Sequence, residues 1–310
     1  MKEKMLKVSV VISVFNGVKY LPMQLDSIRN QIMKPDEVLL FDDKSTDGSV
    51  KFIREYINQH HLEHSWYLYL NSVNKGWRKN FKDGILRAKG KYIFLCDQDD
   101  IWRFDKLKRM YDAMESHPQI NLLASKYIEF TKSIKKEQLN IKINKKIYYV
   151  KWSKKFMRIL FPGCTYCIRA SFLAQIKKYW KDEYAHDAFL WRMALCADSV
   201  AVYNAPLMAW RKYPQSTNSK EKKEDRNKIF FRLKGINNTI DMNYGLQQYV
   251  NELNDRNKIN VLKKNERMLE SRKKFLLHPS IKNWVVSIYF LNFYTYKKEF
   301  LRDCYVAFKS

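Results

Sequence analysis

The chain has 310 residues, 58 of them Lys or Arg and 32 Asp or Glu, giving a formal net charge of +26 and a pI near 9.7. With 46% hydrophobic residues and only 8 Gly and 7 Pro it can bury a sizeable core, which excludes wholesale disorder and collagen-like or low-complexity chains. The charge admits polyanionic partners: nucleic acid, an anionic membrane face or phosphorylated substrates.

In chain order, VSVVISV at Val8–Val14 is a nearly continuous β-branched run, the pattern of a central parallel strand. Tyr20–Gln31 has helical spacing, Glu37–Phe41 predicts a second strand, and Ser45 or Asp47 can cap a helix whose apolar face is Val50, Ile53 and Ile57. Trp66–Leu70 predicts a third strand, Asn80–Ala88 a helix ended by Gly90, Tyr92–Cys96 a fourth strand, and Leu107–Met114 another helix. This alternation predicts an α/β sheet with parallel strands. Further on, strands are expected at Ile120–Ala124, Phe161–Ile168, Val200–Tyr203 and Leu207–Trp210, and helices at Ser171–Trp180 and Asp187–Ala197. Lys126–Arg158 holds eleven basic and two acidic residues without a clear period, as surface loops and short strands would. A polar run after Tyr213 marks a linker, and helical spacings resume from Ile229, so domains are expected at 1–215 and 216–310.

The five cysteines are scattered, and one CxxC (Cys164, Cys167) without a partner pair is a poor zinc signal; reduced thiols are expected, as in a cytosol. No window of eighteen apolar residues exists, so no spanning helix is expected. The basic, apolar N-terminus lacks a cleavage site and reads as a buried strand rather than a signal peptide.

Ligand sites in open α/β sheets lie at the carboxyl ends of the strands. Here the first strand is followed by Phe15-Asn16, the second by Asp42-Asp43 and the fourth by Asp97-Gln98-Asp99-Asp100. Gathered carboxylates repel unless a cation or hydrogen-bond donors compensate, and hard oxygen ligands favour Mg²⁺ or Mn²⁺. A glycine-rich phosphate loop and a dinucleotide fingerprint are both absent from the sequence, which leaves phosphate charge to a metal.

VSVVISVFN, LLFDDKSTDGS, NKGWRKNFKDGILRAKGKYIFLCDQDD and HDAFLW, in this order, resemble the inverting glycosyltransferases of family 2, over about residues 8–213. CDQDDIW with HDAFLW is similar to the branch containing bacterial rhamnosyltransferases of surface polysaccharide synthesis. The resemblance implies a GT-A nucleotide-sugar fold with a mostly parallel central sheet, here extended by C-terminal helices. It implies that Phe15 and Asn16 lie at the nucleotide, that Asp43 accepts from the base with Asp42 supporting the turn, and that Asp99 and Asp100 hold the ribose and the metal, Asp97 completing a DxD pattern on the nucleotide-sugar side. Asp187 would be the general base, and Arg78 would touch the diphosphate. It further implies a dTDP- or UDP-linked donor, Mg²⁺ or Mn²⁺, and a saccharide acceptor on a lipid diphosphate at the inner face of the cell membrane. Lys44 departs from the usual glycine of DDGSTD, and Arg211-Lys212-Tyr213 stands where the family often has Arg-x-His. Arg211 and Gln215 are further candidates, and His186 has no assigned role.

Each residue also has a plainer reading. Asp42 and Asp43 can shape a turn, Asp99 and Asp100 can cap a helix, Asp187 can be an N-cap, Phe15 a core aromatic and Arg78 a solvated helix charge. The run WVVSIYFLNFYTY at Trp284–Tyr296, followed by Lys297, Lys298 and Arg302, fits an anionic membrane interface, with packing on the catalytic domain or a homo-oligomer contact as alternatives. A UDP-hexose-using member of the family is one alternative function. A basic nucleic-acid-binding protein is another, although no helix-turn-helix, RNP or zinc-finger signature supports specific nucleic-acid recognition.

Overall fold

Strand β1 (Val8–Val14) is almost wholly buried, as its β-branched run requires, and it anchors the sheet. In the computed structural model, which describes residues 6–132, 134, 139, 147–212 and 229–309, β1 pairs in parallel with β2 (Glu37–Asp42) and β4 (Tyr92–Asp97). Strand β3 (Trp66–Leu70) extends that parallel half beyond β2. Beyond β4 come β8 (Tyr166–Arg169), β6 (Leu122–Phe130), β9 (Val200–Arg211) and β5 (Ile101–Trp102), giving the order 3-2-1-4-8-6-9-5, with β7 (Ile147–Tyr149) also on β9. Strand β8 is antiparallel to β4 and β6, and β5 and β7 are antiparallel to β9, so six of the nine strands run in one sense.

Helices α1 (Leu21–Arg29), α2 (Ser49–Gln59), α3 (Trp77–Arg87) and α4 (Lys106–Ser116) follow β1, β2, β3 and β5. In α3 a Cβ at Gly84 would stand 2.6 Å from Val11 Cγ1, so glycine lets this helix lie close on β1. Gly90 does not cap α3, contrary to expectation. Ala88 ends the helix in an extended conformation, and Gly90 passes so near β1 that a Cβ would meet the Ser9 backbone N at 2.6 Å. Neither Ser45 nor Asp47 holds the N-cap of α2, which is Gly48; Asp47, one position before it, accepts from Ser49 N at 3.0 Å.

Two strands expected around 200–210 are one twelve-residue strand. Pro206, which has no N–H to give to a ladder, sits at a register irregularity opposite Lys126, where a bulge in β9 accommodates it. The expected strand at Phe161–Ile168 begins instead with a 3₁₀ turn at Gly163–Thr165. Helices α5 (Ala170–Ile176) and α6 (His186–Cys196) complete this part.

The chain divides into two compact units. One comprises residues to Val150, Leu160–Ala194 and Ser199–Lys212; the other takes in Lys151–Ile159, Leu195–Asp198 and the chain from Tyr213. The boundary expected at 215–216 lies outside the described residues, as do much of the basic stretch and Gln215. The second unit is helical: α7 (Ile229–Glu252), α8 (Arg256–Leu277), α9 (Ile281–Tyr289) and α10 (Lys297–Lys309). Asp255 caps α8, accepting from Lys258 N at 3.0 Å. Met268, Leu269, Phe275, Tyr294, Phe300 and Val306 form its core. Within it the fully buried Asp303 is gripped by Arg272 Nε at 2.8 Å and Arg232 Nε at 2.8 Å, so a buried charge is fully paired. All five cysteines are free thiols, and no helix of the described residues is long and apolar enough to cross a membrane.

Candidate active site

The parallel register brings the chemistry together. Val14 on β1 lies opposite Asp42 and Ser13 opposite Asp97, so both acidic loops leave the sheet level with the end of β1. The loop after β1 is tied to both neighbours. Gln98 clamps Phe15, accepting its N–H at 2.8 Å and donating to its carbonyl at 3.0 Å. Asn16, at φ 49, accepts from Thr46 N at 2.8 Å and donates its own N–H to Ser45 Oγ at 2.9 Å. Phe15 itself is 46% exposed, so it is no core aromatic, and its ring stands free at the mouth of the strands.

Asp42 and Asp43 are both buried. Asp43 is occupied by protein donors: Oδ1 accepts from Lys75 N (2.8 Å) and Asn71 Nδ2 (2.9 Å), and Oδ2 from Gly76 N (2.8 Å). It therefore shapes the Asn71–Gly76 loop. Asp42 Oδ1 accepts from Ser45 N at 2.9 Å, while its buried Oδ2 has no partner. Lys44 between this pair and Ser45 has φ 66, which explains why the family favours glycine there. Sequence reasoning missed Asn80. Its Nδ2 donates to Phe41 O (2.7 Å) and Ser13 Oγ (2.8 Å), and its Oδ1 accepts from Asn71, locking α3 to the strand ends.

After β4, Asp97, Asp100 and Cys164 form the one cation-sized group found among the described residues, with ligand atoms within 4.8 Å of one another. Asp99, expected with Asp100 at the metal, lies outside this trio, although its charge acts on Asp100. Asp100 Oδ1 accepts from Arg211 N at 3.2 Å, whereas the buried Oδ2 is orphaned. Burial and the neighbouring carboxylates push Asp97 up to about 7 and Asp100 well above the ordinary carboxylate range. Burial also raises the Cys164 thiol, which stays protonated and donates toward the acids. A thiol in this state is a poor ligand for a hard ion, but two carboxylates with an orphaned oxygen suit Mg²⁺ or Mn²⁺.

Beneath the trio lies Lys106, fully buried, its Nζ donating to Cys164 O at 3.3 Å and lying 4.5 Å from the Trp102 ring. Burial pushes its pKa down to about 8, against the opposing pull of nearby Asp100. Arg211 is committed to structure. Its Nε donates to Asp99 O at 2.9 Å and its guanidinium packs on the Phe130 and Tyr20 rings. Neither residue was identifiable from the sequence as support for the acids, because their partners lie 58 and 112 positions away.

Asp187 opens α6, with Oδ1 accepting from Ala188 N at 2.7 Å, and its charge is close enough to raise Asp97 and Tyr166. His186 beside it is buried, packed on Phe81 at 4.1 Å and edge-on to Trp77, and both ring nitrogens lack partners. Arg78 stacks on the other partner of this row, Trp77, at 4.5 Å. Burial lowers His186 to about 4, so it is neutral at pH 7. Because the unfolded imidazole takes a proton at about 6.5, the neutral ring contributes stability that is lost as pH falls from 6.5 to 4. The stability difference between wild type and His186→Phe is expected to shift against wild type by about 3 kcal/mol as pH falls between those limits, measured by urea unfolding. Pairing with the variant matters, since Asp97 titrates over the same range with the opposite sign.

Gly163 faces His186: a Cβ would stand 2.3 Å from Nε2 and 3.1 Å from Asp187 Cβ. Gly163→Ala is expected to destabilise by about 1–3 kcal/mol and to displace Asp187. Gly235→Ala, in an exposed helix position with open space around it, is expected to add about 0.5–1 kcal/mol. Denaturant midpoints of the two variants check both signs.

Comparison with known proteins accords with this geometry. A cholesterol galactosyltransferase of Borreliella burgdorferi is 29% identical over 124 residues, 40% of this chain and 34% of that protein. A dTDP-rhamnosyl transferase RfbG of Shigella flexneri is 30% identical over 216 residues, 65% of this chain and 71% of that protein. The matches to the first of the curated relatives span about a third of their length. Among solved structures, S. aureus TarS 1-349 in complex with UDP-GlcNAc aligns with a TM-score of 0.61 at 17% identity, covering 93% of this chain and 80% of that one. That likeness identifies the fold as GT-A, with its mostly parallel central sheet. The sequence model of Glycosyl transferase family 2 matches residues 9–181, more than half the chain and every acidic strand end described above, and the chain belongs to that family.

Proposed function

We propose that the chain transfers a sugar from a nucleoside-diphosphate donor to a saccharide hydroxyl with inversion, in cell-surface polysaccharide synthesis. The observation that carries this is the cation-sized pairing of Asp97 with Asp100 at the end of β4, with Asp187 close enough for its charge to act on Asp97. The exposed Phe15 ring offers a face to the nucleobase, and Asp42 Oδ2 is an unsatisfied acceptor at the same end of the sheet. Asp97 and Asp100 would hold a divalent cation, with Asp99 adjacent for ribose; such an ion neutralises the departing diphosphate. Asp187 takes the proton of the acceptor hydroxyl as its oxygen attacks the anomeric carbon, and a single displacement inverts that centre. Neutral His186 fixes the start of α6 without adding positive charge beside the base.

Rhamnose from a dTDP-linked donor is the favoured cargo, supported by the 30% identity over most of the rhamnosyl transferase from Shigella. A UDP-hexose is the second reading, supported by the galactosyltransferase relative. The acceptor is proposed to be lipid-linked, which places the enzyme at the inner membrane face. Incubation with dTDP-rhamnose, UDP-glucose, UDP-galactose, UDP-GlcNAc and GDP-mannose, with Mg²⁺ or Mn²⁺ and read as nucleoside-diphosphate release, tests the class and the donor together. Release from dTDP-rhamnose above the others is expected. Release from none, with no binding of any donor, would sink the reading.

A further inference from the structure

Helix α9 is built inside out. Its inward positions are polar: Ser287 is fully buried and Asn283 half-buried, with Ser287 Oγ bonded to Asn283 O at 3.0 Å. Its outward positions are apolar: Ile281 is 79% exposed and Tyr289 81%, with Trp284, Val285, Val286 and Ile288 also exposed. On α10 a second stripe at i, i+4 and i+7, Leu301 (66% exposed), Tyr305 and Phe308 (63%), faces solvent while Phe300, Val306 and Ala307 fill the core. The Trp284 side chain of α9 lies close enough to the Cys304 thiol of α10 to act on it, so the two stripes adjoin. Such a continuous apolar surface marks an interaction site.

The charges around the patch decide its occupant. Lys282, Lys297, Lys298, Arg302 and Lys309 lie on these two helices. The only acids between 281 and 309 are Glu299 and Asp303, and both turn inward to Arg272. A second copy pairing this face about a two-fold axis would set bases against bases. An anionic surface complements them. Trp and Tyr beside an aliphatic stripe suit the headgroup boundary, and nine residues are too few to span a bilayer.

We propose that the α9–α10 face docks on the interface of an anionic phospholipid bilayer. This names the surface behind the peripheral location proposed above, and uses no strand-end residue. The test is co-sedimentation of the full chain with phosphatidylcholine–phosphatidylglycerol vesicles and with pure phosphatidylcholine vesicles, without donor or acceptor, so a failed transferase reading leaves it intact. Wild type is expected to bind the mixed vesicles at least about ten-fold better, since each basic residue near the surface contributes about five-fold. Leu301→Ser/Tyr305→Ser/Phe308→Ser is expected to lose about ten-fold or more of that binding. So is Ile281→Ser/Tyr289→Ser, at the two most exposed apolar positions, with circular dichroism confirming helix content. Lys297→Glu/Lys298→Glu is expected to remove most of the preference for phosphatidylglycerol. Equal binding to both vesicle types, or unchanged binding by both apolar variants, would overturn the proposal. So would a wild-type dimer in solution that the apolar variants dissociate.

Discussion

Replacing Asp187 by Asn is expected to lower kcat by about 10²–10⁴-fold, the range that a positioned general base contributes. The substitution keeps the volume at the start of α6 and keeps an Oδ1 to accept from Ala188 N. It removes only the carboxylate proposed to take the proton. Nucleoside-diphosphate affinity, measured by calorimetry, is expected to change little, so the loss should fall in kcat rather than in donor binding. Full activity in this variant would reduce Asp187 to a helix-capping residue and move the base elsewhere.

Asp100→Asn is expected to separate stability from activity. An amide retains Oδ1 for the Arg211 N–H but withdraws a buried charge from beside Asp97 and Asp99. Folding with Asp100 raised above its unfolded value means that ionisation of this carboxyl destabilises the metal-free protein as pH rises. In EDTA the variant should therefore melt at a higher temperature than wild type at neutral pH. Activity should fall by about 10³-fold, because charge neutralisation by a bound ion contributes several kcal/mol. The Mg²⁺- or Mn²⁺-induced rise in Tm expected of wild type should disappear. An unchanged metal-induced rise would show that Asp100 does not hold the ion.

Much of the sheet was readable in advance because buried parallel strands show as apolar runs and their carboxyl ends as acid clusters. β1, β2 and β4 are examples, with Asp42, Asp97 and Asp100 following directly. The support of the site was not readable. Gln98 reaches back 83 positions to Phe15, and Asn80 reaches 67 to Ser13; such pairings carry no local pattern. Lys106 reads as a surface lysine on an amphipathic helix, and only the fold shows that it is buried under Cys164. That β9 is one continuous strand was not readable either, since the bulge around Pro206 that keeps it continuous shows only in its register with β6. The outward apolar face of α9 was visible only as composition, because the run cannot say which residues turn inward.

The Gln98 clamp carries a mechanical consequence. Tied at both the N–H and the carbonyl of Phe15, the first loop cannot shift without carrying the acidic loop along. The floor of the proposed nucleotide site is therefore held as one plate by the protein's own hydrogen bonds.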